Sequence, residues 1–202
     1  MDAYRVSSVG HNLVTSLTKR MRLKRRSISA FTLWGALGFG IGGAIGGAIW
    51  VAFDAPHFGF PLVGAVGGAS LGLVLKDRKT AGLLALAGAI GFGIGLLTGF
   101  FILLIIWQPI HMQGAFIGAL GGAVGGASLG IASRSWKSVG VLALASAIGF
   151  GTVVQTTWSH PMGLTAQILS GAITLAIWGA VGGASLGVAM GYLEKRMAGE
   201  EN

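Results

Sequence analysis

Six long apolar stretches, separated by short polar junctions, limit the folds open to this chain of 202 residues. A helix needs about 20 mostly apolar residues to cross the hydrocarbon core of a bilayer. Only 10% of the residues are charged, whereas soluble domains average about 25%. We therefore predict an all-α integral membrane protein with six transmembrane helices. The predicted spans are 30–53, 59–75, 81–107, 114–133, 139–158 and 164–193.

After the first 28 residues, lysine and arginine occur only at alternate junctions between the spans. They lie at 76–79, at 134–137 and, after the last span, at 195–196. The junctions without them are 54–58, 108–113 and 159–163. The positive-inside rule then makes the basic side cytoplasmic, with both termini there. The predicted location is the bacterial inner (plasma) membrane, and an organellar membrane is the alternative.

Residues 1–29 form a basic arm before the first span. Val6, Val9, Leu13 and Leu17 recur every three or four residues, as on one face of a helix. The arm is predicted to lie on the membrane surface, held by anionic lipids; a basic tail without structure and an organelle transit peptide are the alternatives. No aromatic residue interleaves the basic cluster, so nucleic-acid binding is not predicted. The lipid-surface residues are Lys19, Arg20, Arg22, Lys24, Arg25 and Arg26.

One nonamer, GAVGGASLG, is written three times, at 64–72, 122–130 and 179–187. A second motif, G/S-A-L/I-G-F-G, begins at 35, 88 and 146, and the repeats lie about 57 residues apart. The repeating unit is therefore a helical hairpin, and hairpins with two spans each are parallel repeats. A ring and a row of hairpins both fit this pattern. The predicted organisation is an arm at 1–29, hairpins at 30–79, 80–137 and 138–193, and a cytoplasmic tail at 194–202.

Small residues recur every four positions in each span. Lipid tails are as apolar as leucine, so helices associate through small residues that let two backbones approach closely. The chain resembles glycine-zipper (GxxxGxxxG) membrane proteins at the level of this motif, across all six spans. The resemblance implies tight packing and names no family or residue role. The predicted packing residues are Gly38, Gly42, Gly46, Gly64, Gly68, Gly72, Gly91, Gly95, Gly99, Gly118, Gly122, Gly126, Gly130, Gly149, Gly151, Gly179, Gly183 and Gly187.

The nonamer leaves two questions about its direction and its hydroxyl group. Its three copies can face one another at a common axis, or each can face its own hairpin partner. Ser70, Ser128 and Ser185 occupy one repeated position. We favour hydrogen bonds to nearby carbonyl groups for these serines, with a ring of hydroxyls lining a pore as the alternative.

The residues of catalytic and metal sites are scarce. There is no cysteine, and no Asp, Glu, Lys or Arg lies deep within a predicted span, which counts against ion-coupled transport. His57, His111 and His160 lie one in each non-basic junction, but at different distances from the repeated serine. Neither a metal site nor a cofactor is predicted, and the chain is not expected to be an enzyme.

Two functions remain from different classes. The leading prediction is a packing or assembly module, a scaffold or accessory subunit that forms a homo-oligomer or seats a partner membrane subunit. The alternative is a small pore, channel or permease for an uncharged solute, including a membrane-permeabilising protein, lined by backbone and hydroxyl groups.

Overall fold

The computed structural model describes residues 28–106, 110–133, 136–152 and 163–200. These residues form six helices and no strand. Residues 1–27 of the predicted basic arm lie outside the described part of the chain. The helices are α1 (Ile28–Phe53), α2 (Pro56–Val74), α3 (Arg78–Ile106), α4 (Ile110–Ala132), α5 (Trp136–Gly151) and α6 (Leu164–Glu200).

The predicted all-α membrane fold is confirmed. Five helices, all except α5, are long and apolar enough to cross a membrane. The fifth predicted span, 139–158, coincides with an apolar helix of 16 described residues that ends at Gly151. Residues 153–162 lie outside the described part. The last helix runs further than predicted, with 37 residues to Glu200.

Two tight turns place charged residues between the early helices. Asp54 ends α1 with φ of 49°, and Lys76 follows α2 with φ of 55°. The Lys76 backbone N–H donates to the Leu73 carbonyl, which closes the end of α2. Asp77 then accepts hydrogen bonds from the backbone N–H groups of Lys79 and Thr80, so it caps the start of α3.

The six helices form a closed ring. Each helix packs antiparallel against the next, and α6 packs along α1. The sequence left ring and row open, and this contact establishes the ring. Because neighbours are antiparallel, every Lys and Arg in the described ranges lies at one end of the bundle, here called the basic end. These residues are Lys76, Arg78, Lys79, Lys137, Lys195 and Arg196.

The outside of the ring carries large aliphatic side chains. Ile41 and Ile45 on α1, Ile90 and Ile94 on α3, and Ile177 on α6 are about half exposed. Such a surface suits lipid tails, because they solvate leucine and isoleucine as well as a protein interior does. The small residues face the other way, into the helix–helix contacts.

Candidate functional site

The glycines at the first, fifth and ninth positions of each nonamer face the first helix of the following hairpin. Gly64 in α2 lies against the Gly88 carbonyl in α3, and Gly122 in α4 lies against the Ser146 carbonyl in α5. In α6, Gly183 lies against the Gly35 carbonyl in α1, which closes the ring. This arrangement is neither of the two that the sequence suggested. The other predicted packing glycines that face the following hairpin are Gly68, Gly72, Gly118, Gly126, Gly130, Gly179 and Gly187.

These contacts join backbone to backbone. A β-carbon added at Gly68 would overlap the Leu84 carbonyl, and one added at Gly126 would overlap the Leu142 carbonyl. Such proximity permits Cα–H···O contacts together with dispersion between the chains. Any larger residue would have to move a whole helix, since a backbone carbonyl cannot swing aside as a side chain can.

In the first helix of each hairpin, another set of glycines faces the hairpin partner. Gly38 lies over Ser70, Gly91 over Ser128, and Gly149 over Ser185. Four of the predicted packing glycines extend the same faces: Gly42 and Gly46 against α2, and Gly95 and Gly99 against α4. Gly151 instead faces α4, where a β-carbon added to Gly151 would lie 3.0 Å from the Ala119 side chain.

The repeated serines lie inside the hairpins. The Ser70 hydroxyl is 2.9 Å from the Trp34 carbonyl across the hairpin and 2.7 Å from the Gly67 carbonyl in its own helix. Ser128 repeats this geometry, at 2.8 Å from Ala87 and 2.7 Å from Gly125. The Ser185 hydroxyl lies 2.8 Å from the Gly182 carbonyl. None of the three lines either cavity described below.

Three phenylalanines fill the axis of the ring. Phe39, Phe92 and Phe150 come from the G-F-G part of the second motif, one from each hairpin. Their ring centroids lie 5.0 to 5.8 Å apart in all three pairs, with tilted or edge-on planes. Within its own hairpin each ring also covers a nonamer glycine, so a β-carbon at Gly67 would overlap Phe39. We call these rings the Phe triad.

Further apolar layers continue the Phe triad toward the basic end. Leu71, Leu129 and Leu186, the eighth residues of the nonamers, have no exposed surface. Phe31, Leu84 and Leu142, each eight residues before a triad phenylalanine, are at most 1% exposed. All belong to one hydrophobic cluster with the triad. The described axis is therefore solid over about two helical turns.

Two cavities lie beyond this solid part. The basic-end cavity is a partly open pocket of about 480 Å³ and has Phe31, Leu84 and Leu142 among its lining. The axial cavity, on the other side of the triad, is a partly open pocket of about 30 Å³ between α2, α3, α4, α5 and α6. The polar residues of the basic-end cavity are Asp77, Lys79, Thr80, Ser133, Ser138 and Glu194.

Charge is confined to the ends of the described bundle. The Asp77 carboxyl accepts hydrogen bonds from the Thr80 hydroxyl and from the backbone N–H groups of Thr80 and Lys79. These bonds lower its pKa below the usual value.

Among the described residues, no group of three or more His, Asp or Glu side chains could hold a metal ion. His57 is exposed, whereas His160 and the His111 side chain lie outside the described part, as do Lys19 to Arg26.

Several residues of this core were not predicted. The glycines of the second motif were predicted to pack, but its phenylalanines, which form the axis of the ring, were not. Gly43 and Gly47 in α1 lie against Leu175 and Gly171 in α6. Aligning the repeats would have singled out these two glycines, because α3 has Leu96 and Phe100 at the equivalent positions.

Comparison with known proteins adds no relative. No family model, no curated protein and no solved structure matches this chain.

Proposed function

We propose that this chain is a rigid packing and assembly module of the membrane, a scaffold or accessory subunit without catalytic activity. The observation that carries the proposal is the closed ring with the Phe triad on its axis. Backbone contacts such as Gly183 against Gly35 hold neighbouring helices at a fixed distance. A bundle of this kind is a firm body for other subunits to pack against and a poor candidate for large internal motion.

The small-residue faces do not supply the docking surface of this module. Among the described glycines with open space around an added β-carbon are Gly82, Gly140 and Gly163, whereas the nonamer glycines all meet other helices of the same chain. A partner subunit or second copy therefore packs on the aliphatic outer faces. Two such faces are the one on α3 with Leu86, Ile90 and Ile94 and the one on α6 with Leu169, Ile173 and Ile177.

The test is purification in mild detergent, with the mass and composition of the particle as readout. We expect the chain within a larger particle of fixed stoichiometry. Alanine at Leu86, Ile90 and Ile94 together is compared with alanine at Leu169, Ile173 and Ile177 together, as matched changes of equal size. One triple variant should lose the partner while the other retains it. A stable particle containing one copy of this chain and no other protein contradicts the proposal.

A pathway for an uncharged solute is the second candidate, and the two cavities on either side of the Phe triad favour it. It requires the triad and the layers beneath it to separate. Liposomes containing the purified protein are tested for uptake of glycerol and urea by light scattering. Flux equal to that of empty liposomes rejects this candidate and leaves the assembly module unaffected.

A further inference from the structure

The basic-end cavity lies on the axis of the ring and has a buried apolar floor. Phe31 has no exposed surface, and Leu84 and Leu142 are each 1% exposed. Exposed residues such as Asp77 and Ser133 form its mouth, which opens at the basic end. The volume of about 480 Å³ is about three times that of an engineered cavity that binds benzene. The cavity therefore has room for several apolar side chains.

The lining of this cavity is more acidic than the rest of the basic end. Of the six cations at the basic end in the described ranges, only Lys79 belongs to the described lining. Two carboxylates, those of Asp77 and Glu194, also line it. An apolar floor below a mouth with net negative charge suits an occupant that carries both apolar side chains and cations.

Residues 1–27, which lie outside the described part of the chain, join the bundle beside this mouth. Ile28, the first described residue, lies against Gly191 in α6. Phe31, about one turn later in α1, lines the cavity, and so does Met190, the neighbour of Gly191. The basic arm is therefore tethered at the edge of the cavity.

The sequence of the arm has both properties that the cavity requires. Its cations lie at 19–26, next to the tether, and its apolar face lies further from it. Leu17 precedes Ile28 by eleven residues, which span about 36 Å when extended. The centre of a ring of six helices is only about 8–10 Å from each helix axis. Tethering also gives a segment an effective concentration of about 1 mM at a nearby site, which favours the arm over a free partner.

We propose that residues 1–27 occupy the basic-end cavity of their own chain. Their apolar face covers the floor formed by Phe31, Leu84 and Leu142, and removing this apolar surface from water drives the contact. The basic cluster passes the mouth, where the carboxylates of Asp77 and Glu194 attract it. The anionic lipid surface competes for the same apolar face. This contact is independent of the assembly function and uses a different part of the molecule.

Ser133→Cys places a reporter at the mouth of the cavity, because the chain has no cysteine of its own. Its rate of reaction with a water-soluble maleimide is measured in nanodiscs in which one lipid in four is anionic, so that the competing surface is present. The native arm is compared with Leu13→Gln/Leu17→Gln, which disrupts the apolar face and keeps the basic cluster. We expect the native arm to slow the reaction by at least about tenfold, which corresponds to occupancy of the cavity for about nine-tenths of the time.

Two controls separate this contact from general shielding by the arm. His11→Gln/Thr15→Gln makes the same change on the opposite helical face and should retain the slow reaction. Lys137→Cys places the reporter at the start of α5, outside the described lining, and should react equally fast with the native and the substituted arm. Equal rates at the mouth with these two arms overturn the proposal. Acceleration by both pairs of glutamine substitutions, or equal slowing at Lys137→Cys, also overturns it.

Discussion

Gly183 in α6 packs against the carbonyl of Gly35 in α1, four residues out of register with the equivalent pairs elsewhere in the ring. Its counterparts Gly68 and Gly126 pack against Leu84 and Leu142, one turn further from the triad phenylalanine. The α2–α3 and α4–α5 contacts therefore share one register. The α6–α1 contact that closes the ring, here called the closing joint, has another. Four residues correspond to about 6 Å along a helix axis.

The four-residue period of the glycines makes this shift tolerable. Sliding a GxxxG face by four residues brings glycine opposite the same kind of backbone again, so the contact survives. The closing joint also needs small residues one turn beyond the common pattern. Gly191 provides one where the first repeat has Lys76, and Gly43 provides another where α3 has Leu96.

The closing joint should be sensitive to a single methyl group. Gly183→Ala places a β-carbon onto the Gly35 carbonyl, which is backbone and cannot rotate away. Overpacking of this kind costs about 1–3 kcal/mol or more. Unfolding by SDS titration, followed by circular dichroism, should show the loss of stability.

Gly140→Ala is the matched control for this change, because nothing lies within 4 Å of an added β-carbon there. Alanine also favours the helix over glycine. Its stability should equal or slightly exceed that of the wild type. Equal stability of Gly183→Ala and Gly140→Ala would falsify the backbone-contact account of the ring.

The Phe triad should contribute much of the stability of the axis. Phe92 contacts both Phe39 and Phe150 and is 2% exposed. Phe92→Ala leaves a cavity between three hairpins and should cost about 3–5 kcal/mol. Phe101→Ala removes the same side chain from a surface that is 69% exposed, and should change the unfolding free energy far less. A small loss for Phe92→Ala would mean that the axis is loosely packed.

The sequence predicted the hairpins, the membrane fold and the small-residue faces, because apolar length and a four-residue period act within one helix. It could not predict which neighbour each face meets. A glycine face such as that of Gly64 and Gly68 fits any smooth backbone and carries no information about its partner. The ring and its shifted joint depend on α1 meeting α6, residues far apart in the chain.

The axial core could not be predicted from the sequence either, and the reason is physical. Phe39, Phe92 and Phe150 look like lipid-facing residues in an apolar span, since every side of such a span is hydrophobic. Their common position becomes informative only once three hairpins surround one axis.

Two serines in the helix–helix contacts should respond in opposite ways to alanine. Ser128→Ala loses the hydroxyl that lies 2.8 Å from the Ala87 carbonyl, and should destabilise the protein by about 0.6–1.7 kcal/mol. Ser146 has no exposed surface and its hydroxyl has no partner among the described residues. Ser146→Ala keeps the β-carbon and removes the unpaired group, so it should stabilise by about 1 kcal/mol. SDS titration of both variants checks the sign, and destabilisation by Ser146→Ala would show that its hydroxyl has a partner.

Asp77 should make the start of α3 sensitive to acid. Its pKa in the folded protein is lowered from 3.8 by the Thr80 hydroxyl, followed by the Thr80 and Lys79 N–H groups. Its contribution is therefore complete above pH 3.8 and is lost as the pH falls through the lower folded value. Asp77→Ala should remove this acid-range dependence from the thermal midpoint in detergent. Asp54→Ala, which removes one negative charge at the other end, should retain it.

A disulfide can report the closing joint directly, because the chain has no cysteine of its own. A β-carbon added at Gly191 lies 3.3 Å from the Ile28 β-carbon, near the range of about 3.5–4.5 Å that disulfides use. Oxidation of Ile28→Cys/Gly191→Cys should therefore give an intramolecular crosslink and a faster band on a gel. The control is Ile28→Cys/Gly187→Cys, the pair that would meet if the closing joint had the register of the other two. Crosslinking of the control pair alone refutes the shifted joint, and crosslinking of neither pair refutes the closed ring.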